Sequence, residues 1–509
     1  MPHPNILVLM CDQLQASAVY AEGLCATPNL DRLRERGVSF ARAYTPNAVC
    51  SPARASLMTG KLPHNHNVLW VTHTMSPDQV RIKEGLPHFA QDLTRAGYQT
   101  SYVGKWHVEP AERPSWYGWQ RDRSSHSATM ASRPSRAHGE LIPRIDVEGD
   151  GYRAALLAGV TSVSAVDRTM GQVVGVAREE LRELSRSEQP WCLFVSVPEP
   201  HDPYVVGLEA FDAYADWTFE PPANWVDDLE GRPRIYQRAA RAFADLSDEQ
   251  RTLAAKCYYA SITEIDAQFG LLLDDLEGRG LDENTVVVLT TDHGDFLGAH
   301  GMYCKNLGAW EEAYKVPLVV AGPTLSRPAS VGPKDDAPKD AGAGGTMSNA
   351  RVGTHALFAS ILKHYEIPCS IQCDAPLFDD VLAASASDSD ALAAADARHT
   401  DARHTDGFAE YHGGRLLLTQ RVVYHDDWKL VWNGFDDHEF YNLVEDPYEL
   451  RNLAGADGPA LSGIGPLAKA YRDVTERLWS EVKRTGDATL ANSQYVGLRA
   501  GEIGPEVTR

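Results

Sequence analysis

Basic residues are scarce in this chain: 48 lysines and arginines stand against 70 aspartates and glutamates, a formal charge of −22. So acidic a balance argues against general nucleic-acid binding, which rests on neutralising phosphates. An anionic ligand is still admitted where a few cations are focused in one cleft. Long apolar runs are missing too. None reaches the roughly 18–20 residues a membrane helix needs, so no spanning segment or membrane partner is expected. Cysteine is sparse, with eight residues at 11, 25, 50, 192, 257, 304, 369 and 373 and no C-x-x-C pair. This argues against a zinc site or disulfide framework and fits reduced thiols. The opening "MPHPNILVLMCDQ" has no basic n-region and no small-residue cleavage site, so residues 6–10 read as a first strand. A cytoplasmic location is expected, or a periplasmic or secreted one had a signal been removed.

What is there is ordinary globular material, 43% hydrophobic and 23% charged. At 509 residues it exceeds one simple core. Strand and helix patterns alternate along the first two-thirds. Residues 6–10, 38–44, 190–197, 284–292 and 316–322 read as strands, and 99–104 as a strand leading into a turn. Residues 27–37, 86–98 and 248–278 read as helices. Near-continuous apolar strands between helices predict an α/β fold, with a large, mostly parallel sheet sandwiched by helices. Residues 324–350 read as a flexible loop, and the Ala/Ser/Asp-rich 383–406, with its tandem "DARHTDARHT", as a low-complexity surface loop. Four short strands and a closing helix at 466–483 follow, a small C-terminal antiparallel sheet with a helix. The organisation expected is 1–382 as catalytic domain, 407–485 as an α+β subdomain, and 486–509 as a tail that could also serve a homo-oligomer.

Five short pieces carry the chemistry. "NAVCSPARASLMTG" starts a helix at Cys50, with Pro52 in its first turn, where the missing N–H costs nothing, and Gly60 as stop. Backbone N–H groups at that helix end favour negative charge, and Arg54 lies one turn on. "MCDQ" puts Asp12 and Gln13 just past the first strand, an oxygen pair suited to a hard cation. "GKWH" carries Lys105 and His107 out of a strand. "PEPHDPY" holds His201 in a turn, and "TTDHGDFLGAHGMYCK" places Asp292 and His293 at a strand end with Lys305 in the following loop. Asp295 and His300 read as structural. Taken singly, each piece also fits a turn, a cap or a buried cysteine.

Taken together and in this order, the pieces resemble the type I, formylglycine-dependent sulfatase family of the alkaline-phosphatase-like superfamily. The C-S-P-A-R run matches the family signature, and "WKLVWN" with "EFYNLVEDPYELRNLA" matches its C-terminal sheet. The resemblance implies that a maturation enzyme, a transient partner, oxidises Cys50 to formylglycine, whose hydrate attacks sulfur. It implies Asp12, Gln13, Asp292 and His293, with residue 50, as ligands of one divalent metal. Lys105, Lys305 and Arg54 would neutralise the sulfate and hold the hydrate. His201 is the candidate acid for the leaving oxygen and His107 the candidate base, roles that could be exchanged. Many members carry Asp where Gln13 stands and Asn where His293 stands. Calcium is the common family metal, and an imidazole ligand raises manganese or magnesium beside it.

The expected activity is therefore hydrolysis of a small sulfate ester, of a sugar or an alkyl or aryl alcohol. The nearest alternative is a phosphonate monoester or phosphodiester hydrolase of the same superfamily, with which the D-Q and D-H pairs agree and "GKWH" does not. "DQL", "GK-x-H" and "PHDPY" also look like choline sulfatases. Trp116, Tyr117 and Trp119 could stack on a sugar, face a choline-type cation or simply pack. A non-catalytic binder of sulfated ligands ranks lowest, since every motif is intact.

Overall fold

The computed structural model describes residues 3–21, 23–125, 139–147, 155–305, 307–325, 346–384, 404–414, 417–454 and 464–491. Its strands are β1 (Asn5–Asp12), β2 (Gly37–Tyr44), β3 (Gln99–Gly104), β4 (Arg121–Ser124), β5 (Leu141–Val147), β6 (Ala155–Thr161), β7 (Trp191–Pro200), β8 (Tyr204–Gly207), β9 (Thr285–Thr291), β10 (Leu318–Ala321), β11 (Thr346–Gly353), β12 (Asp406–Gly413), β13 (Leu417–His425), β14 (Trp428–Asn433) and β15 (Glu439–Asn442). An eight-stranded sheet runs β11-β2-β10-β9-β1-β7-β3-β4. Only β10 is antiparallel to its neighbours. All other pairings in the sheet are parallel.

The central strand shows why its sequence reads as one apolar run. Ile6, Val8 and Met10 enter the core on one face, and Leu7, Leu9 and Cys11 enter the core on the other. The alternation of side chains along a strand sends both sets into apolar surroundings when helices cover both faces. Thr169–Leu184 and Asp248–Glu277 pack on the Leu7 face. Cys50–Thr59, Phe89–Arg95 and Leu357–His364 pack on the other. β1 lies between β9 and β7, and its carboxyl end opens where binding sites form in open α/β sheets.

The C-terminal sheet, β12-β13-β14-β15, is antiparallel throughout. One face takes Val474, Leu478, Trp479 and Val482 of the helix Pro466–Thr485 against Val423, Leu430, Trp432 and Phe440. The opposite face carries Tyr411, Val422 and Tyr424 against Tyr44, Trp310 and Tyr314 of the main body.

Three features depart from the sequence reading. Residues 346–350, expected in a loop, open β11, an edge strand paired with β2 and broken between Ser348 and Arg351. An edge strand can stay half polar, which hid it from an apolar-run criterion. β5, β6 and β8 form a three-stranded sheet that the sequence did not suggest. The start of the expected tail is anchored, since Asp487 and Leu490 are buried there. Residues 326–345, 385–403 and 492–509, within the expected loops and tail, lie outside the described residues.

Candidate active site

Four strand ends converge on one point. Asp12 ends β1, Asp292 follows β9, Lys105 follows β3 and His201 follows β7. Cys50 begins the helix Cys50–Thr59, with Val49 extended before it, and Gly60 ends it at φ 73°. A Cβ at Gly60 would fall 2.4 Å from Ile371, so both conformation and space require glycine.

Arg54 is fully buried and ties the strand ends together. Its Nε donates to Asp292 Oδ2 at 2.7 Å and its Nη2 to Asp12 Oδ2 at 2.8 Å. Nη1 donates to the Lys105 carbonyl and to Ser196 Oγ, both at 2.9 Å. The guanidinium thus turns to two carboxylates rather than back to residue 50. Burial and Cys50 push the Asp12 carboxyl up, but Lys105, His201 and Arg54 outweigh them and hold it well below the usual carboxylate range. Lys105 Nζ makes a direct ion pair with Asp12.

Cys50 Sγ stands 3.2 Å from His293 Nε2 and 3.8 Å from Asp12 Oδ1. Asp12, Cys50, Asp292 and His293 are all buried and each offers one ligand atom, all four atoms within 4.8 Å of one another. His293 Nδ1 lies 2.8 Å from the Gly294 carbonyl. That bond makes Nδ1 the protonated nitrogen and leaves the Nε2 lone pair facing the cluster, the tautomer a metal ligand needs. Gly294 is required there because a Cβ would meet the Glu312 carbonyl oxygen at 1.9 Å. Two carboxylates, an imidazole and residue 50 therefore fit one divalent cation by donor type and tautomer.

Gln13 adopts φ 70°, and its N–H donates to Asp292 Oδ1 at 3.1 Å. Its Oε1 accepts from Lys305 Nζ at 2.8 Å, and its Nε2 donates to Asp202 Oδ1 at 3.1 Å and to Asp295. Amide donors on carboxylates and amide oxygen on an ammonium leave one orientation of the group. Asp295, read from sequence as structural, supports Gln13 and is itself held by the Tyr204 hydroxyl at 2.8–2.9 Å.

Cations gather around residue 50. Burial would push the Cys50 thiol up, yet Lys305, Lys105 and His293 bring it well below its ordinary value. Burial and Lys305 lower His201, but Asp12, Cys50 and Asp202 outweigh them and leave it raised. Lys305 Nζ contacts His201 Nε2, while His201 Nδ1 faces the Asp202 carbonyl at 2.7 Å. His107 sits at φ 49°, its ring within reach of Cys50 and lowered chiefly by burial. The sequence reading missed Ser196, Asp202 and Tyr204, whose roles depend on which strand ends meet.

The aromatic stretch after His107 divides. Trp119 is fully buried against Phe89, Tyr102 and Phe194, and Tyr117 is buried beside it. Only Trp116 is exposed, at 66%. A second acidic and imidazole group, His64 with Glu410 and Asp487, lies elsewhere. There Arg421 contacts Asp487 at 2.7–2.8 Å, so a buried cation of the chain itself already faces this carboxylate.

The Sulfatase family model matches residues 4–367, most of the chain. The chain belongs to the sulfatase family. Curated relatives of this sulfatase include a choline-sulfatase of Rhizobium meliloti (strain 1021), 27% identical over 99% of this chain and 93% of that one. An N-acetylglucosamine-6-O-sulfatase of Bacteroides thetaiotaomicron is 24% identical over 89% and 83%. The fold is shared with a phosphonate monoester hydrolase of Agrobacterium radiobacter, at TM-score 0.72, 21% identity and full coverage of both chains. It is shared too with a protein solved in complex with its substrate D-glucosamine-2-N,6-O-disulfate, at TM-score 0.68, 19% identity, and 95% and 98% coverage. The architecture is the alkaline-phosphatase-like fold. The sulfatase is a sulfuric ester hydrolase.

Proposed function

We propose that this sulfatase cleaves small sulfate esters with a formylglycine hydrate made from Cys50. The observation that carries the reading is the placement of Cys50: first residue of a buried helix, 3.2 Å from His293 Nε2, among Lys105, Lys305, His107 and His201. Asp12, Asp292, His293 and residue 50 would hold one divalent cation, with the Gln13 amide oxygen beside them. Calcium is the usual metal of the family, and the imidazole among the ligands brings manganese or magnesium in beside it. When bound, the cation supplies Lewis acidity, polarising the sulfate oxygens and acidifying the attacking hydroxyl.

The chain's own groups divide the remaining work. Arg54 fixes the two carboxylates. Lys105 and Lys305 face the sulfate oxygens as charge develops on them. His201 Nε2 gives a proton to the departing alcohol oxygen, and His107 takes one from the hydrate so that sulfate can leave. Splitting transfer into two displacements at one residue is covalent catalysis.

For the alcohol, a sugar or small alkyl or aryl group is the reading. Tyr117 and Trp119, buried, are poor candidates for an aromatic cage around choline, although a choline-sulfatase is among the relatives. The Gln13 and His293 pair favours phosphonate or phosphate diesters as a second activity at the same centre.

The test is the mass of the tryptic peptide 43–54 after coexpression with a maturation enzyme, followed by turnover of sulfate and phosphonate esters. An aldehyde at position 50, with turnover lost in Cys50→Ala, is expected. Unmodified cysteine, despite conversion of a control substrate, overturns the mechanism. Lys105→Ala is expected to reduce sulfate ester turnover by roughly two to three orders of magnitude. A negligible effect moves the reading to phosphonates.

A further inference from the structure

We infer that His73 is a positioning residue that decides which ring nitrogen of His107 carries the proton, and so whether a lone pair faces position 50. The inference rests on the sulfatase reading above. His73 lies in a segment pinned on both sides. Thr72 N–H donates to the hydroxyl of Ser51, next to Cys50, at 3.2 Å. Trp70 Nε1 donates to the His412 carbonyl, on β12, at 2.7 Å. His73 itself is exposed, so it forms the rim of the site where His107 meets solvent.

The two imidazoles are nearly parallel, 10° apart, with centroids separated by 5.5 Å. Yet His73 Nδ1 and His107 Nε2 are only 3.4 Å apart. A ring nitrogen stands off its own centroid by a ring radius. Rings stacked face to face at van der Waals separation, with centroids this far apart, would hold their nitrogens farther from each other. The rings therefore lie edge to edge, and the N–H of one points at the lone pair of the other. His107 Nδ1, the remaining nitrogen, is buried without a hydrogen-bond partner. With Nε2 engaged by His73, Nδ1 is the nitrogen the inference assigns to residue 50.

A neutral imidazole carries one proton, and the bond made by one nitrogen sets the state of the other. With His107 Nε2–H donating to His73 Nδ1, His107 Nδ1 presents a lone pair to position 50. A proton taken there comes from a hydroxyl: one O–H bond breaks, one N–H bond forms, and His107 becomes imidazolium while its bond to His73 stays. Without His73, part of the population presents an N–H instead and cannot accept.

The experiment compares His73→Ala, His73→Asn and His73→Lys in matured enzyme on an aryl sulfate. Asparagine can accept from His107 Nε2, whereas lysine can only donate and enforces the wrong tautomer. We expect His73→Ala to lower kcat by about 10- to 100-fold with little change in KM, a fraction of what a general base contributes. His73→Asn should recover most of the loss. His73→Lys should be at least as slow as alanine although it adds a cation near an anionic substrate. In a His107→Ala background, His73→Ala should have no further effect. An effect on KM alone, or the same loss in the His107→Ala background, overturns the inference. Histidine 15N shifts decide it without turnover: His107 should carry its proton on Nε2 in the wild type and lose that preference in His73→Ala, and a proton on Nδ1 in the wild type overturns the inference. Matured wild type that cleaves none of a sugar, an alkyl and an aryl sulfate would overturn the sulfate-ester reading, while the 15N shifts would still decide His73.

Discussion

Position 13 and the tryptophans after His107 show how much a single side chain's surroundings decide. An amide at 13 donates to Asp202 and Asp295 while accepting from Lys305, a set of bonds that aspartate, having no donor, could not make. The same sequence letter can also mean different things. Trp116 and Trp119 stand three residues apart and read alike as candidate stacking platforms, but one is exposed and the other is in the core. Trp119→Ala is expected to cost about 3–5 kcal/mol, because Phe89, Tyr102 and Phe194 would line the hole it leaves. Trp116→Ala should stay within about 0.5 kcal/mol. Denaturant unfolding of the two variants checks the contrast, and comparable losses would contradict the packing described.

At the scale of elements, two of the buried joints rest on ionisable side chains. Asp487 lies past the helix Pro466–Thr485 and pairs with Arg421 of β13, both side chains fully buried. Asp487→Ala would leave a guanidinium buried near Glu410 and His64 with its main partner gone. A loss of about 3–5 kcal/mol is expected, read as a lower midpoint in denaturant. The second joint is where β7 meets the helix Thr169–Leu184. Glu199 Oε1 accepts from the Met170 N–H at 3.2 Å, and Oε2 is buried without a partner. Burial pushes this carboxyl up to about 7. An acid raised on folding holds its proton in the native chain where the unfolded chain, at about 4.3, has lost it. Its contribution is therefore present at low pH and is lost as pH rises towards and past 7. Between about pH 5 and 8, wild type should lose on the order of 1–3 kcal/mol relative to Glu199→Gln. Parallel stability profiles for the two proteins would refute the assignment.

For the whole molecule, the centre is also a fold joint, since Asp12, Asp292, Lys105 and Ser196 belong to four different strands or their exits and all meet Arg54. A cation bound only by the folded chain adds stability by mass action, about 2.7 kcal/mol at a hundredfold excess over its dissociation constant. Chelation is expected to abolish turnover and lower Tm together, with both restored by one divalent ion per chain. Loss of turnover at an unchanged Tm would mean that the cation does not bind this joint. The C-terminal sheet belongs to the same scale. It presses Tyr411, Val422 and Tyr424 onto the main body, and β12 accepts the Trp70 indole N–H beside the His73 rim.

The sequence by itself determined the mostly parallel sheet, the Cys50 helix with its Gly60 stop, the C-terminal meander and the motif residues that gather, though not Ser196, Asp202 or Tyr204 beside them. Those signals are local: apolar runs set strands, proline and glycine set helix ends, and a spaced signature needs no third dimension to be read. Tertiary structure alone decided what each polar group touches. Arg54 turns to Asp12 and Asp292 because β1 and β9 are neighbours in the sheet. Gln13 meets Lys305 across 292 positions of chain. His73 meets His107 across 34. Hydrogen bonds act over about 3 Å, so their partners are fixed only once distant segments are packed, and no spacing along the chain encodes that distance.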